Sequence, residues 1–464
     1  MSEKLLKKWI NQVIVFKKRI KRCIKEKLMA QNDYTGIKEY NLFIEEEHYP
    51  RYQRIWQDLL VGDLKSSFKL EFEKKFNAAL YNDEFYSTTY PRTIENGIKL
   101  LKSVGWRNDP YDRQHWGNWL HSLSPYQGRM TPSLAHWLIK IFSKKGDFIL
   151  DPFMGVGTVP LEADFLQRNA IGVDLNTYGF TIAKGKFERK SIDYYLNYLR
   201  EIGHIERSLI DISSVSDWIQ AYFHPETLKE IIFLNEKLKN EKEYFLLSCL
   251  MGILHGNRPG YLSVWTGCII PMTPRPKTHP KFRPDKDKPE YRAVIPRMAA
   301  KVMRMFSTGF PLLKKNTKII LGDARNLNLK DNSVDVVICS PPYYNTLDYV
   351  GQNRVRLYFL GLNKVMQDKL RKELIQDTKT YLDNMREVGK ELKRVLKDGL
   401  LLVYVLGDVH RAKYSINTAK KVSELYQQLD FKELAIVNDE IPLNKIASRS
   451  KRRKFDRILV LKNG

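Results

Sequence analysis

Ser340-Pro341-Pro342-Tyr343 gathers a hydroxyl, two ring-stiffened peptide units and an aromatic ring into four consecutive residues. The hydroxyl and the Pro341 carbonyl can accept hydrogen bonds, and the phenol ring is a stacking platform. That set is suited to gripping a planar ring that bears an amino group. The preceding residues, Val334 to Cys339 (V-D-V-V-I-C), are short, apolar and β-branched, which predicts a buried strand. Two prolines cannot donate ladder hydrogen bonds, so they end the strand. Ser340 and Tyr343 are thereby left at the carboxyl edge of a sheet, where open α/β folds bind their ligands. An ordinary strand-ending turn is the plain alternative for such a run taken alone.

A second constellation stands earlier, from Asp147 to Thr158 (D-F-I-L-D-P-F-M-G-V-G-T). Asp147 to Phe153 predicts another buried strand, carrying Asp151, Pro152 and Phe153. Gly155 and Gly157 then turn the chain into a helix that begins near Thr158. Glycine accepts positive φ and lets a ligand approach the backbone closely. Asn169 to Leu175 (N-A-I-G-V-D-L) predicts the next strand, ending in Asp174. An acid about 20 residues beyond the glycine turn, at a strand tip, is placed to bind ribose hydroxyls. A third short strand at Lys318 to Leu321 ends in Gly322-Asp323, whose carboxylate can accept from an exocyclic amine such as that of adenine. Alone, Asp323 reads equally as a helix cap or turn residue.

Taken together, these blocks resemble the DNA amino-methyltransferases, which methylate N4 of cytosine or N6 of adenine. D-P-F-M-G-V-G-T is similar to their cofactor loop, I-G-V-D-L-N to the ribose-binding strand end, L-G-D-A to the adenine-side acid, and S-P-P-Y to the catalytic turn. Ser124 to Pro132 (S-P-Y-Q-G-R-M-T-P) resembles the segment that closes over the methionine end of the cofactor. The likeness covers roughly residues 120–190 and 315–464. It implies a Rossmann-like α/β fold with a mostly parallel seven-stranded sheet, and S-adenosylmethionine as cofactor. It also implies Asp151, Pro152, Phe153, Gly155, Gly157, Thr158, Asp174 and Asp323 as cofactor-binding residues, and Ser340, Pro341, Pro342 and Tyr343 as catalytic ones. A serine opening the turn usually accompanies N4-cytosine in this family, whereas aspartate or asparagine accompanies N6-adenine. Methylation of adenine N6, of a base in RNA, and a non-catalytic DNA-binding subunit are the alternatives. The setting implied is restriction–modification, with a cognate endonuclease as partner.

Composition bounds the same reading. The 464 residues suffice for one large α/β domain and additional modules. A formal charge of +25 favours a polyanionic partner, which the resemblance implies is double-stranded DNA. Cys23, Cys249, Cys268 and Cys339 form no CxxC pair, which argues against a zinc site or disulfide scaffold and fits the reducing cytoplasm. No apolar run reaches the ~18 residues of a membrane span, and no signal-peptide core opens the chain.

Four regions are expected. Residues 1–120 are basic, aromatic-rich and mostly helical, a candidate DNA-binding module. Met1 to Met29 reads as a basic amphipathic helix with Trp9, Val13, Phe16 and Ile20 near helical spacing. Residues 121–190 form the cofactor-binding half. Residues 191–315 form a helical and basic-loop insertion, the candidate for target recognition. Residues 316–464 form the catalytic half, with helices expected over Asp377 to Lys397 and Ser415 to Leu429. Within the insertion, Pro271 to Arg292 is rich in proline and basic side chains and cannot build a core of its own. Its Arg275, Lys277, Lys281 and Arg283, with Arg449, Lys451, Arg452 and Arg453 in a loop between the last two strands, are candidate phosphate contacts. A solvated surface is the plain alternative for both runs. The aromatic stretch Tyr111 to Trp119 is expected to pack on the domain.

Overall fold

The computed structural model describes residues 50–62, 93–103, 116–188, 190–256, 260–264, 266, 274, 278–281, 288–307, 316–343, 347–377, 379–410, 415–441 and 454–464. The chain divides into two compact units, residues 1–45 and 46–464. All described residues belong to the second, so the expected helix over Met1 to Met29 lies outside them.

Seven strands form one sheet: β1 (Phe148–Asp151), β2 (Asn169–Asp174), β3 (Thr317–Leu321), β4 (Val334–Cys339), β5 (Leu396–Gly407), β8 (Phe431–Ile441) and β9 (Lys454–Asn463). Their spatial order is β3-β2-β1-β4-β5-β9-β8. A separate two-stranded ladder pairs β6 (Val409–His410) with β7 (Ser415–Ile416). β1, β2, β3, β4 and β5 run parallel, and β9 pairs antiparallel with both β5 and β8. This is the expected Rossmann-like sheet. Chain order reverses between β1 and β4, which opens a crevice at their carboxyl ends.

Helices α1 (Pro50–Leu60), α2 (Ile94–Ser103) and α3 (Pro132–Phe142) precede the first strand, and α4 (Thr158–Phe165) links β1 to β2. Between β2 and β3 the chain is helical where described: α5 (Thr177–Phe187), α6 (Ile192–Glu201), α7 (Asp217–Gln220), α8 (Pro225–Asn240), α9 (Tyr244–Ile253) and α10 (Val294–Phe306). Helices α11 (Tyr349–Phe359), α12 (Lys364–Glu373) and α13 (Tyr381–Val395) lead from β4 to β5, and α14 (Thr418–Gln427) leads into β8.

Period-two alternation decides which residues face which layer. Val336 and Ile338 of β4, with Val403 and Val405 of β5, enter one core with α3. Val337 and Cys339, with Leu402, Tyr404 and Leu406, enter the other, against α13 and α14. Both faces are covered, which explains the continuous apolar runs of the parallel strands. α9 lies close on α5, where Ser248 Oγ donates to the Thr181 carbonyl at 3.2 Å. Trp116 is buried and sets its edge against the His136 ring, so this part of the aromatic stretch is packing.

Candidate active site

The two motifs meet in one cleft at the carboxyl ends of β1, β2, β3 and β4. Its lining includes Asp151, Pro152, Phe153, Gly155, Thr158, Asp174, Asp323, Ser340 and Pro342. Gly157 and Tyr343 are structural neighbours of that lining, Gly157 as the cap of α4 and Tyr343 one residue beyond Pro342. Pro341 is buried beneath the turn.

The glycine turn is built as its sequence requires. Gly155 has φ +51° and Gly157 φ +73°, a region that L side chains resist. A Cβ on Gly155 would lie 3.3 Å from the Tyr126 ring. The turn is tied to β2 by Met154 N–H to the Val173 carbonyl at 3.0 Å, and by Gly155 N–H to Asp174 Oδ2 at 2.7 Å. The second oxygen of Asp174 accepts from Asn176 N–H at 2.7 Å. Burial nevertheless pushes the Asp174 carboxyl up to about 6, against the pull of those two N–H groups. Burial also raises Asp151 well above the usual carboxylate range, with the nearby Asp174 charge adding to it.

Neither carboxylate is ion-paired with a basic side chain among the described residues. The Thr158 hydroxyl and the Asn176 side-chain amide are buried polar groups of the lining with no partner among the described residues. Unpaired carboxylates and orphaned polar atoms in one crevice fit a ligand that carries positive charge and hydroxyls. S-adenosylmethionine has both, so the residues present fit the expected cofactor.

Asp323 is differently engaged. Arg325 clasps it with Nη2 to Oδ2 at 2.6 Å and Nε to Oδ1 at 3.0 Å. The same guanidinium donates to Asn384 Oδ1 and to the Glu373 carbonyl, drawing Glu373, Leu374 and Ile375 into the cleft wall. Arg325 is only two residues from Asp323, but the partners that orient its guanidinium, Asn384 and Glu373, lie 59 and 48 positions further along the chain, which no local signal reveals.

At the S-P-P-Y turn, Ser340 Oγ stands 3.1 Å from the Val405 carbonyl of β5. A carbonyl only accepts, so the serine proton is spent there and its oxygen remains an acceptor. The Tyr343 hydroxyl donates to Asp456 Oδ1 at 3.3 Å, and its backbone N–H bonds the Tyr349 hydroxyl. Tyr349 stacks on Tyr126 (6.1 Å between centroids) and Tyr126 on Tyr178 (5.9 Å), an aromatic wall that closes one side of the cleft. Tyr126, Gly128, Arg129 and Met130 line the cleft and come from the Ser124–Pro132 segment. Tyr349 could not be read from the sequence, since no motif surrounds it. Cys339 is fully buried and burial raises its thiol well above its usual value, in keeping with packing.

Of the candidate phosphate contacts, Lys281 is described and is exposed. Arg275, Lys277, Arg283, Arg449, Lys451, Arg452 and Arg453 lie outside the described residues. Arg292, at the end of the basic loop, is a structural anchor: its Nη1 donates to the Tyr261 and Ser263 carbonyls at 2.8 and 2.7 Å. Among the described residues no helix is long and apolar enough to cross a membrane.

Comparison with known proteins gives partial matches. A DNA methylase family model of the N6/N4 methyltransferases matches residues 3–185. The type II methyltransferase M.BsoBI of Geobacillus stearothermophilus is 26% identical over 290 residues, 56% of this chain and 56% of its own length. The type II methyltransferase M.MjaII of Methanocaldococcus jannaschii is 30% identical over 129 residues, 28% of this chain and 22% of its own. The match thus spans about half or less of the length of these relatives. Among solved structures, an S-adenosylmethionine-dependent methyltransferase from Methanosarcina mazei is 12% identical with a TM-score of 0.29, covering 70% of this chain and 96% of that one. TrmN from Thermus thermophilus is 11% identical with a TM-score of 0.28, covering 72% and 50%. Over these partial spans the chain is similar to the DNA amino-methyltransferases, and its cleft fits their cofactor, S-adenosylmethionine.

Proposed function

We propose that this protein methylates the exocyclic N4 amino group of cytosine in double-stranded DNA, as the modification enzyme of a restriction–modification system. The observation that carries the reading is the state of Ser340. Its proton is committed to Val405, which leaves an acceptor on the turn that borders the cleft of Asp151, Gly155 and Asp174.

Bound S-adenosylmethionine supplies an electrophilic methyl group. Asp174 would accept hydrogen bonds from its ribose hydroxyls, Asp323 would face its adenine, and Gly155, Gly157 and Thr158 would shape the turn that holds it. The amino nitrogen of cytosine is a poor nucleophile because its lone pair is delocalised into the ring. Ser340 Oγ and the Pro341 carbonyl accept hydrogen bonds from the two amino N–H groups and favour a pyramidal nitrogen with a localised lone pair. Tyr343 stacks on the base after it leaves the duplex. Rate then comes from positioning and from acceptors fixed before the reaction. Residues 121–190 and 316–464 act as the two halves of the catalytic domain, and the 191–315 insertion and the region before residue 120 supply DNA contacts.

Sequencing DNA from a host expressing the protein, with chemistry that distinguishes modified bases, tests this reading. N4-methylcytosine at one recurring sequence is expected. N6-methyladenine there would overturn the cytosine assignment, and methylation found in RNA alone would overturn the substrate. Unmodified nucleic acid would favour a non-catalytic subunit.

A further inference from the structure

Tyr343 rests on a seat made by two residues that face each other across a strand pair. Gly407 ends β5 and Asp456 lies on β9, and the two are direct register partners in the antiparallel ladder. A Cβ built on Gly407 would lie 2.6 Å from Cε2 and 2.7 Å from Cδ2 of the Tyr343 ring. The ring therefore lies against bare backbone, closer than any side chain permits. Its hydroxyl reaches Asp456 Oδ1 at 3.3 Å. The Gly407 peptide is itself pinned, since Thr418 Oγ1 donates to its carbonyl at 2.9 Å. Gly407 has no positive φ, so its lack of a side chain answers to space rather than to backbone strain.

We propose that the cross-strand pair Gly407 and Asp456 is the device that sets the plane of the Tyr343 ring, making both of them positioning residues for stacking on the extruded base. This rests on the reading of Tyr343 as the stacking residue. Gly407, against the Cδ2–Cε2 edge, fixes how deep the ring sits and its rotation about the long axis of the side chain, and Asp456, at the hydroxyl on that axis, fixes where its tip points. An aromatic platform is useful only if its face is presented at the correct height, and β5 and β9 provide that from rigid sheet rather than from a loop. Neither residue belongs to the motif that contains Tyr343; they come from 64 and 113 positions further along, brought in by strand register.

The test is a set of variants of the full chain: Tyr343→Ala, Tyr343→Phe, Gly407→Ala, Asp456→Ala and Asp456→Asn, alone and combined. Turnover and KM on duplex DNA, S-adenosylmethionine affinity by calorimetry, and melting temperature are measured for each. Tyr343→Ala should lower kcat about tenfold or more, as expected when a base–aromatic stack is removed. Gly407→Ala should approach that effect with cofactor affinity unchanged, and should add little in the Tyr343→Ala background. Asp456→Ala should lower kcat by about threefold to tenfold, the scale of one hydrogen bond. Asp456→Asn retains an acceptor and should restore most of it, and Asp456→Ala should have no further effect in the Tyr343→Phe background.

The outcomes separate the two claims. Full turnover in Tyr343→Ala would remove the stacking role itself. A crippled Tyr343→Ala, beside losses from Gly407→Ala and Asp456→Ala that simply add to it, would keep the stacking role and overturn the seat. Should Gly407→Ala fail to fold, the Asp456 and Tyr343→Phe cycle decides alone.

Discussion

Ser340 and Asp174 make opposite demands on the same cleft, and each gives a measurable consequence. Ser340→Ala removes the acceptor while leaving the β1 and β2 ends untouched. Turnover should fall about tenfold or more, with S-adenosylmethionine affinity nearly unchanged by calorimetry; weaker affinity with full turnover at saturating cofactor would transfer the turn to the cofactor site. For Asp174 the sign follows from burial. Its carboxyl sits up at about 6, and only the ionised form can accept two ribose hydroxyls. Cofactor affinity should therefore be flat above about pH 7 and weaken up to about tenfold per pH unit below about pH 6. In the ligand-free protein the raised value means that the folded state holds this proton more tightly than the unfolded chain. Its contribution is neutral below the unfolded carboxylate value of ~3.9 and unfavourable above about 6. Asp174→Asn should accordingly raise the melting temperature of the ligand-free protein at about pH 8 more than at about pH 4, while costing cofactor affinity. A melting temperature insensitive to that substitution at both pH values would mean that the carboxylate is hydrated.

At the scale of elements, the sequence was legible wherever local chemistry and burial agreed. The strand over Val334 to Cys339 and the helix start at Thr158 are where their apolar run and glycine turn indicate, because prolines and positive-φ glycines leave the backbone no other course. The helix expected over Asp377 to Lys397 is shorter, Tyr381–Val395, and β5 begins at Leu396, so the chain passes from helix to strand with no loop between. Ser415 and Ile416 pair with β6 rather than starting the next helix, which opens at Thr418 after the Asn417 cap. Helix α10 is strongly amphipathic, and α11 and α12 open on the side-chain caps Asp348 and Asn363, local signals that the motif-led reading passed over. No local signal marks Glu162, on the helix that follows the glycine turn. It is fully buried between His121 Nε2 at 2.7 Å and His136 Nδ1 at 2.9 Å. Burial holds His136 well below its usual value, so it stays neutral at physiological pH. Two acceptor oxygens thus tie the loop's helix to α3 and to the 119–122 turn. Glu162→Leu leaves both imidazoles without that partner and should destabilise the fold by about 2–4 kcal/mol. Chemical denaturation monitored by far-UV circular dichroism measures this, and a midpoint unchanged from the parent would show the two imidazoles to be satisfied elsewhere.

For the molecule as a whole, the formal charge of +25 is the quantity that the cleft does not use. The cleft itself is acidic, with Asp151, Asp174 and Asp323 at its lining, so the excess of lysine and arginine must act elsewhere. Steering a polyanion is what such an excess does, and each phosphate neutralised releases condensed counterions. The Pro271–Arg292 stretch is proline-rich, basic and set between the two halves of the sheet in chain order. Its last residue, Arg292, is fastened to the Tyr261 and Ser263 carbonyls. Positioning on the backbone, rather than reading of base edges, is the role that this composition suits. Neutralising Arg275, Lys277, Lys281 and Arg283 together should then weaken binding to specific and unrelated duplexes about equally. The slope of log affinity against log salt should fall by about one for each phosphate that the variant no longer neutralises. Had these side chains read bases, the same change would relax the choice of site, at ~1–3 kcal/mol per base read. Binding isotherms of the four-fold variant on both kinds of duplex, at several salt concentrations, separate these outcomes. A slope equal to that of the parent would make the loop solvated surface and move the DNA-binding face to the basic region before residue 120.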